Sequence, residues 1–185
     1  DTVAVMPAIT KDWPEGKAFG YNRIYESTTM DYQGPSFNWV TMPDQYTWFW
    51  FQQSVRKKAA RPMFAEVALI SSHAPWVPIL PVLDDWDSVG NGTVFNQWKG
   101  AGESPASLWR EPERVREHYA LAIDYALNVA TGYATRHVDE NTLLVLLGDH
   151  QPAPLVTGDG ASRDVIVHVI SGNPALLAPF LATGS

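Results

Sequence analysis

The stretch TLLVLLGDHQPAP, residues 142–154, delivers a carboxylate and an imidazole side by side at the end of an apolar run. A carboxylate oxygen and a neutral imidazole nitrogen form part of a ligand set for Mn²⁺, Zn²⁺ or Mg²⁺. Gly148 lets the backbone turn without side-chain obstruction just ahead of Asp149 and His150. Two adjacent residues supply at most half of such a site, so the remaining ligands must come from elsewhere. Without them, Asp149 caps a turn and His150 packs on its loop. A second histidine, His73, follows the run MFAEVALISS and shares a rigid loop with Pro75 and Pro78. It could donate a hydrogen bond to an anionic oxygen, act as a general acid, or serve the loop structurally. Ser71 and Ser72 precede it, but no Gly-x-Ser-x-Gly elbow surrounds them, which argues against a serine nucleophile.

The other polar candidates are weaker. His168 falls mid-strand, where a satisfied core histidine is expected, and His118 and His137 belong to a helix or its end, where solvation is expected. Asp84, Asp85 and Asp87 match a calcium loop only loosely, without its full spacing and distant Glu. Asn91-Gly92-Thr93 has the pattern of a glycosylation sequon.

Elements must hold these groups in place. TVAVM (2–6) reads as a short buried strand, and RIY within the loop-like DWPEGKAFGYNRIYES as another. A helix is expected from TMPDQYTWFWF, with Pro43 in its first turn and Thr41 with Asp44 resembling a capping box, ending at Arg61-Pro62. Residues 63–72 read as a central strand, and 84–110 as an excursion without periodicity. The clearest helix spans 112–136, with Val115, Tyr119, Ala122, Ile123, Ala126, Ala130 and Tyr133 in one stripe. TLLVLLG and DVIVHVIS (164–171) read as buried strands, followed by a last helix, NPALLAPFLA. Near-continuous apolar strands separated by long helices favour a mostly parallel sheet covered on both faces. In such α/β sheets functional groups gather beyond the carboxyl ends of the strands, where both His73 and Asp149-His150 fall.

Composition narrows the class. The formal net charge of −7 and the absence of a basic stripe exclude nucleic acid as the expected partner. Arg56-Lys57-Lys58 with Arg61 reads as the basic end of a helix complementing its dipole. With no Cys, thiolate catalysis, Cys-ligated zinc and disulfides are excluded. No apolar stretch reaches the ~18–20 residues of a membrane span. Eight Trp can fill a core or line a cleft or interface.

Together these segments resemble the sulfatase and alkaline phosphatase superfamily. LLVLLGDHQP resembles its Gly-Asp-His strand end, and VALISSHAPWVP its upstream strand ending in His-x-Pro. FGYNRIYES resembles the Gly-aromatic-Asp-x-aromatic-Tyr segment of lipoteichoic acid synthase-like members, and MPDQYTWFWF the helix start that follows. The best match is a bacterial membrane-anchored sulfatase-like protein, in order and spacing across nearly the whole chain.

The resemblance implies an alkaline-phosphatase-like α/β sandwich with a divalent metal (Mn, Mg, Ca or Zn) at the strand ends. It implies phosphoric or sulfuric ester chemistry on an anionic ester substrate, through a covalent nucleophile upstream of this chain. Asp149 and His150 match the late metal-ligand pair, His73 the histidine that contacts the substrate anion, and Trp13 an aromatic position of the phosphoglycerol-binding members. The family's His seven residues before this Trp is Met6 here and its Arg two residues after is Glu15, so the resemblance does not extend to the full set of headgroup ligands. On this reading residues 1–185 are the C-terminal portion of a catalytic domain, truncated at both ends, inactive alone and holding metal weakly or not at all. The parent would be membrane-anchored and face the periplasm or the extracellular side. A sheet edge left open by missing strands could promote self-association. The rival reading is a non-catalytic module of the same fold serving envelope binding or assembly, with the Trp residues and the 84–110 region as its contact surface.

Overall fold

The computed structural model describes residues 1–11 and 13–182. It is a mixed α/β structure that divides into two compact units, Asp1–Val129 and Ala130–Ser185.

The first unit is built on a parallel sheet in the order β2-β1-β3, from β1 (Thr2–Met6), β2 (Arg23–Glu26) and β3 (Phe64–Val67). Val3, Ala4 and Val5 of the middle strand are fully buried, as an apolar run paired on both edges requires. In register, Val3 faces Arg23 on one side and Ala65 on the other. Because the strands are parallel, their carboxyl ends share one edge of the sheet. The helix α1 (Asp44–Trp50) continues through a wider π turn, Phe51–Val55, into a 3-10 turn, Arg56–Lys58. It is buried on nearly all sides rather than along one stripe. The 84–110 region, expected without periodicity, folds into short pieces: 3-10 turns at Trp86–Val89 and Thr93–Trp98 and the one-turn α2 (Pro105–Leu108). The long α3 (Pro112–His137) buries Val115, Ala122, Tyr125, Val129, Ala130 and Tyr133, close to the expected stripe.

Three expectations for this unit are corrected. The strand expected over 63–72 stops at Val67 and is an outer strand, the middle place belonging to β1. Its last bond to the ladder is the Ala68 N–H to the Val5 carbonyl, 3.0 Å. Beyond it, the N–H groups of Ile70 and Ser71 are taken by a different acceptor, the Asp44 carboxylate, at 2.9 Å each. The capping box does not form either. Pro43 is the N-cap residue, and the Thr41 hydroxyl donates instead to the Pro7 carbonyl, 2.6 Å. His118, expected in solvent, is half-buried, with Nδ1 3.0 Å from the Trp76 carbonyl.

The second unit holds the end of α3 from Ala130, then β4 (Leu144–Leu147), α4 (Pro154–Thr157), β5 (Val167–Ile170) and α5 (Pro174–Leu181). Here the expected buried parallel strands are corrected to an antiparallel pair, with Leu147 opposite Val167 and Leu144 opposite Ile170. The strand expected over 164–171 forms only over Val167–Ile170. A two-stranded ladder offers little to bury against, so β4 alternates: Leu144 and Leu146 are half-buried, while Val145 and Leu147 are exposed. His168, expected in the core, is exposed for the same reason. Gly172 lets the chain after β5 approach the 139–140 backbone, its N–H donating to the Asp139 carbonyl at 3.1 Å. A Cβ there would lie 2.8 Å from the Asp139 carbonyl carbon.

Candidate functional site

His73 stands on a turn beyond the carboxyl end of β3, its N–H donating to the Ile70 carbonyl at 3.0 Å. Its Nδ1 lies 2.7 Å from the Ala74 carbonyl oxygen. A carbonyl only accepts, so Nδ1 carries the proton and Nε2 is the free nitrogen of the neutral ring. The ring is exposed to solvent on one side and stacked on Trp39 on the other, with centroids 4.1 Å apart and planes tilted by 23°.

The loop that carries His73 is held along its length. Ile70 and Ser71 bind Asp44, and the Ser71 hydroxyl accepts from the Asp44 N–H at 3.0 Å. Further on, Trp76 takes a φ of 60°, in the left-handed region that bulky residues avoid at a cost of about 1–3 kcal/mol. Burial offsets that cost. The Trp76 ring stacks on Trp109 at 5.4 Å, meets Tyr119 edge-on at 5.3 Å, and donates from Nε1 to the Ser72 carbonyl at 2.8 Å. Asn38, also at positive φ, donates from Nδ2 to the Val77 carbonyl at 2.5 Å. At the far end the buried Gln45 amide pairs with both backbone groups of Leu83, at 2.8 and 2.9 Å.

Trp13 follows the carboxyl end of the neighbouring strand, β1. Its ring covers Gly16, where a Cβ would come within 2.5 Å of it, and meets Phe19 at 5.6 Å. Its N–H donates to Glu26 Oε1 at 3.2 Å. Trp13 and His73 therefore share one edge of the sheet, each engaged by its own neighbours. The start of the loop-like stretch at 12–27 is Asp12, which lies outside the described residues.

Asp149 and His150 belong to the second unit, directly beyond β4. Both are exposed, with 91% and 73% of their side-chain surfaces accessible. The Asp149 carboxylate accepts from the His150 N–H through Oδ1 at 2.9 Å, and Oδ2 lies 3.7 Å from His150 Nε2. His150 Nδ1 lies 2.8 Å from the Gln151 carbonyl. As at His73, the carbonyl fixes the proton on Nδ1 and leaves Nε2 bare. Metal-ligating histidines are oriented in this way, by donating their other ring N–H to a carbonyl or carboxylate. One ion at about 2.1 Å from both donors fits between atoms up to ~4.2 Å apart, so Oδ2 and Nε2 suit a shared divalent cation. Two donors would be half of a four-coordinate shell, and no cluster of three or more His, Cys, Asp or Glu side chains suited to an ion occurs among the described residues.

Two of the remaining polar candidates have structural partners. The Asp85 carboxylate caps the 3-10 turn by accepting the Asp87 N–H at 3.0 Å, and Asn91 Oδ1 accepts from both the N–H and the hydroxyl of Thr93. Sequence reasoning missed Asp44 and Trp39. A signal for Asp44 exists, since it is the only charged residue between Tyr32 and Val55 and stands amid aromatic residues. The chain matches no family model, no curated protein and no solved structure.

Proposed function

We propose that the chain is part of a metal-dependent phosphoric or sulfuric ester hydrolase or phosphotransferase with an alkaline-phosphatase-like architecture. Its covalent nucleophile would be supplied from upstream of residue 1. The observation that carries this reading is the shared arrangement of His73 and His150: each donates Nδ1–H to the next residue's carbonyl and presents a free Nε2. Asp149 and His150 would hold a divalent cation, which when bound lowers a nucleophile's pKa and neutralises charge on the transferred group. His73, once protonated, donates Nε2–H to an anionic ester oxygen, or passes that proton to the leaving oxygen. The fixed Nδ1 hydrogen bond and the Trp39 stack keep the ring oriented during that transfer. Trp13 offers an aromatic face beyond the neighbouring strand for the organic part of the substrate. The parent protein would be anchored in a bacterial inner membrane with this part on its outer face. No helix among the described residues is long and apolar enough to cross a membrane.

Elemental analysis of the full-length protein, paired with turnover of aryl phosphate and aryl sulfate esters, tests the reading. Stoichiometric metal with turnover of either ester is expected, and Asp149→Ala should lose both metal and at least ~10-fold in activity. A variant with normal metal content and rate would contradict the assignment. One observation favours the rival, a non-catalytic module for envelope binding or assembly: Leu143, Val145, Leu147 and Val167 lie exposed on one face of the β4–β5 pair. A full-length protein without metal and without turnover would put that reading first.

A further inference from the structure

Four of the groups that hold the His73 loop come from one short segment, residues 38–45. Asn38 reaches Val77, Trp39 stacks on the His73 ring, Asp44 takes Ile70 and Ser71, and Gln45 takes Leu83. The segment is itself shaped by a tight bridge between Phe37 and Val40, whose backbone groups exchange hydrogen bonds at 2.8 and 3.1 Å. Among these contacts Asp44 is the unusual one. Its side chain is fully buried, a costly place for a carboxyl group. The cost is offset by two backbone donors on Oδ1, while Oδ2 has no hydrogen-bond partner. A helix cap alone would be met by an exposed Ser or Asp bonding its own first turn. Asp44 instead bonds outward, to the first two residues of the turn that ends at His73.

We propose that Asp44 is the positioning residue of His73, fixing the Ile70–His73 turn so that the imidazole is held against Trp39 with Nε2 outward. Its functional meaning rests on the reading of His73 as an anion contact, but the placement is a property of the fold and is measured without activity. Asp44 acts through the turn and touches no reacting atom. Asparagine keeps an oxygen acceptor for the two N–H groups, whereas alanine removes it and leaves two donors unmet.

The experiment is NMR of the chain. In the wild type, the Ile70 and Ser71 amides should exchange at least ~10-fold more slowly than the exposed Asp149 and His150 amides, and the His73 ring protons should show upfield shifts from the Trp39 face. Asp44→Ala should abolish those upfield shifts while the amide resonances of β1 keep their positions, and Asp44→Asn should restore them. Rapid exchange at Ile70 and Ser71 in the wild type would overturn the proposal even if Asp44→Ala does not fold. So would an Asp44→Ala variant whose β1 and His73 resonances both match the wild type. Failure of the anion reading shows separately, as wild-type His73 resonances that do not move on titration with inorganic phosphate.

Discussion

TVAVM and LLVLL look alike as sequences, yet the first is buried at every residue after Thr2 and the second presents alternate residues to solvent. β1 is paired on both edges, whereas β4 has one partner, β5. The same contrast separates the two histidines. The turn bearing His73 is held by side chains more than 25 residues away in sequence, from Asp44 and Asn38. His150 makes its hydrogen bonds to its immediate neighbours, Asp149 and Gln151. An apolar run thus states that a strand forms, and its partners decide how deeply it is buried. One histidine is placed by the fold; the other is placed by its own loop.

The sharpest way to break the comparison is to put a charge into each strand. Val5→Asp places an unpaired carboxylate at a site with no exposure and should cost about 4 kcal/mol or more, enough to unfold the first unit. Val145→Asp, on the exposed face, should cost less than about 1 kcal/mol. Denaturant unfolding followed by circular dichroism measures both, and equal losses would refute the contrast.

A smaller effect is expected from pH. Burial raises the Asp44 carboxyl above the usual carboxylate range, outweighing the lowering effect of the Ile70 and Ser71 amides. A carboxyl raised in the folded state holds its proton more tightly there than in the unfolded chain. Its stabilising contribution is therefore complete below about pH 4, the ordinary value, and is lost as pH rises through the raised one. Asp44→Asn stays neutral and has no such loss. Variant minus wild-type stability should therefore rise with pH above about 4, by at most about 1.4 kcal/mol per pH unit. Urea unfolding across a pH series reads this directly, and a flat difference would mean that Asp44 is not the group that titrates.

A further change tests the second unit. Gly172→Ala pushes a methyl against the Asp139–Glu140 backbone and should cost about 1–2 kcal/mol, seen as a lower midpoint in the same unfolding assay. An unchanged midpoint would show that this unit adjusts freely.

Much of this was legible in the sequence. The helix over 112–136, the strands at 2–6 and around 64 and 145, and the strand-end position of Asp149 follow from apolar spacing and from Pro and Gly placement, whereas the turn between Val67 and His73 does not. Burial was not legible where it depends on pairing partners distant in sequence, as for β4 and His168. Asp44 reads locally as a helix-start acid, because that is the commonest use of Asp before an apolar run. Its actual partners lie 26 and 27 residues downstream, and no local pattern encodes them. His118 follows the same rule: its partner is the Trp76 carbonyl, in a loop far upstream in sequence.

The most direct measurement is long-range ¹H–¹⁵N correlation of the histidine rings, above the pH at which imidazoles lose their charge, before and after Zn²⁺ is added to the full-length protein. His73 and His150 are both expected to carry the proton on Nδ1, with Zn²⁺ shifting the His150 Nε2 resonance and leaving that of His73 in place. A proton on Nε2 of either ring, or a His150 resonance that ignores the metal, would contradict this.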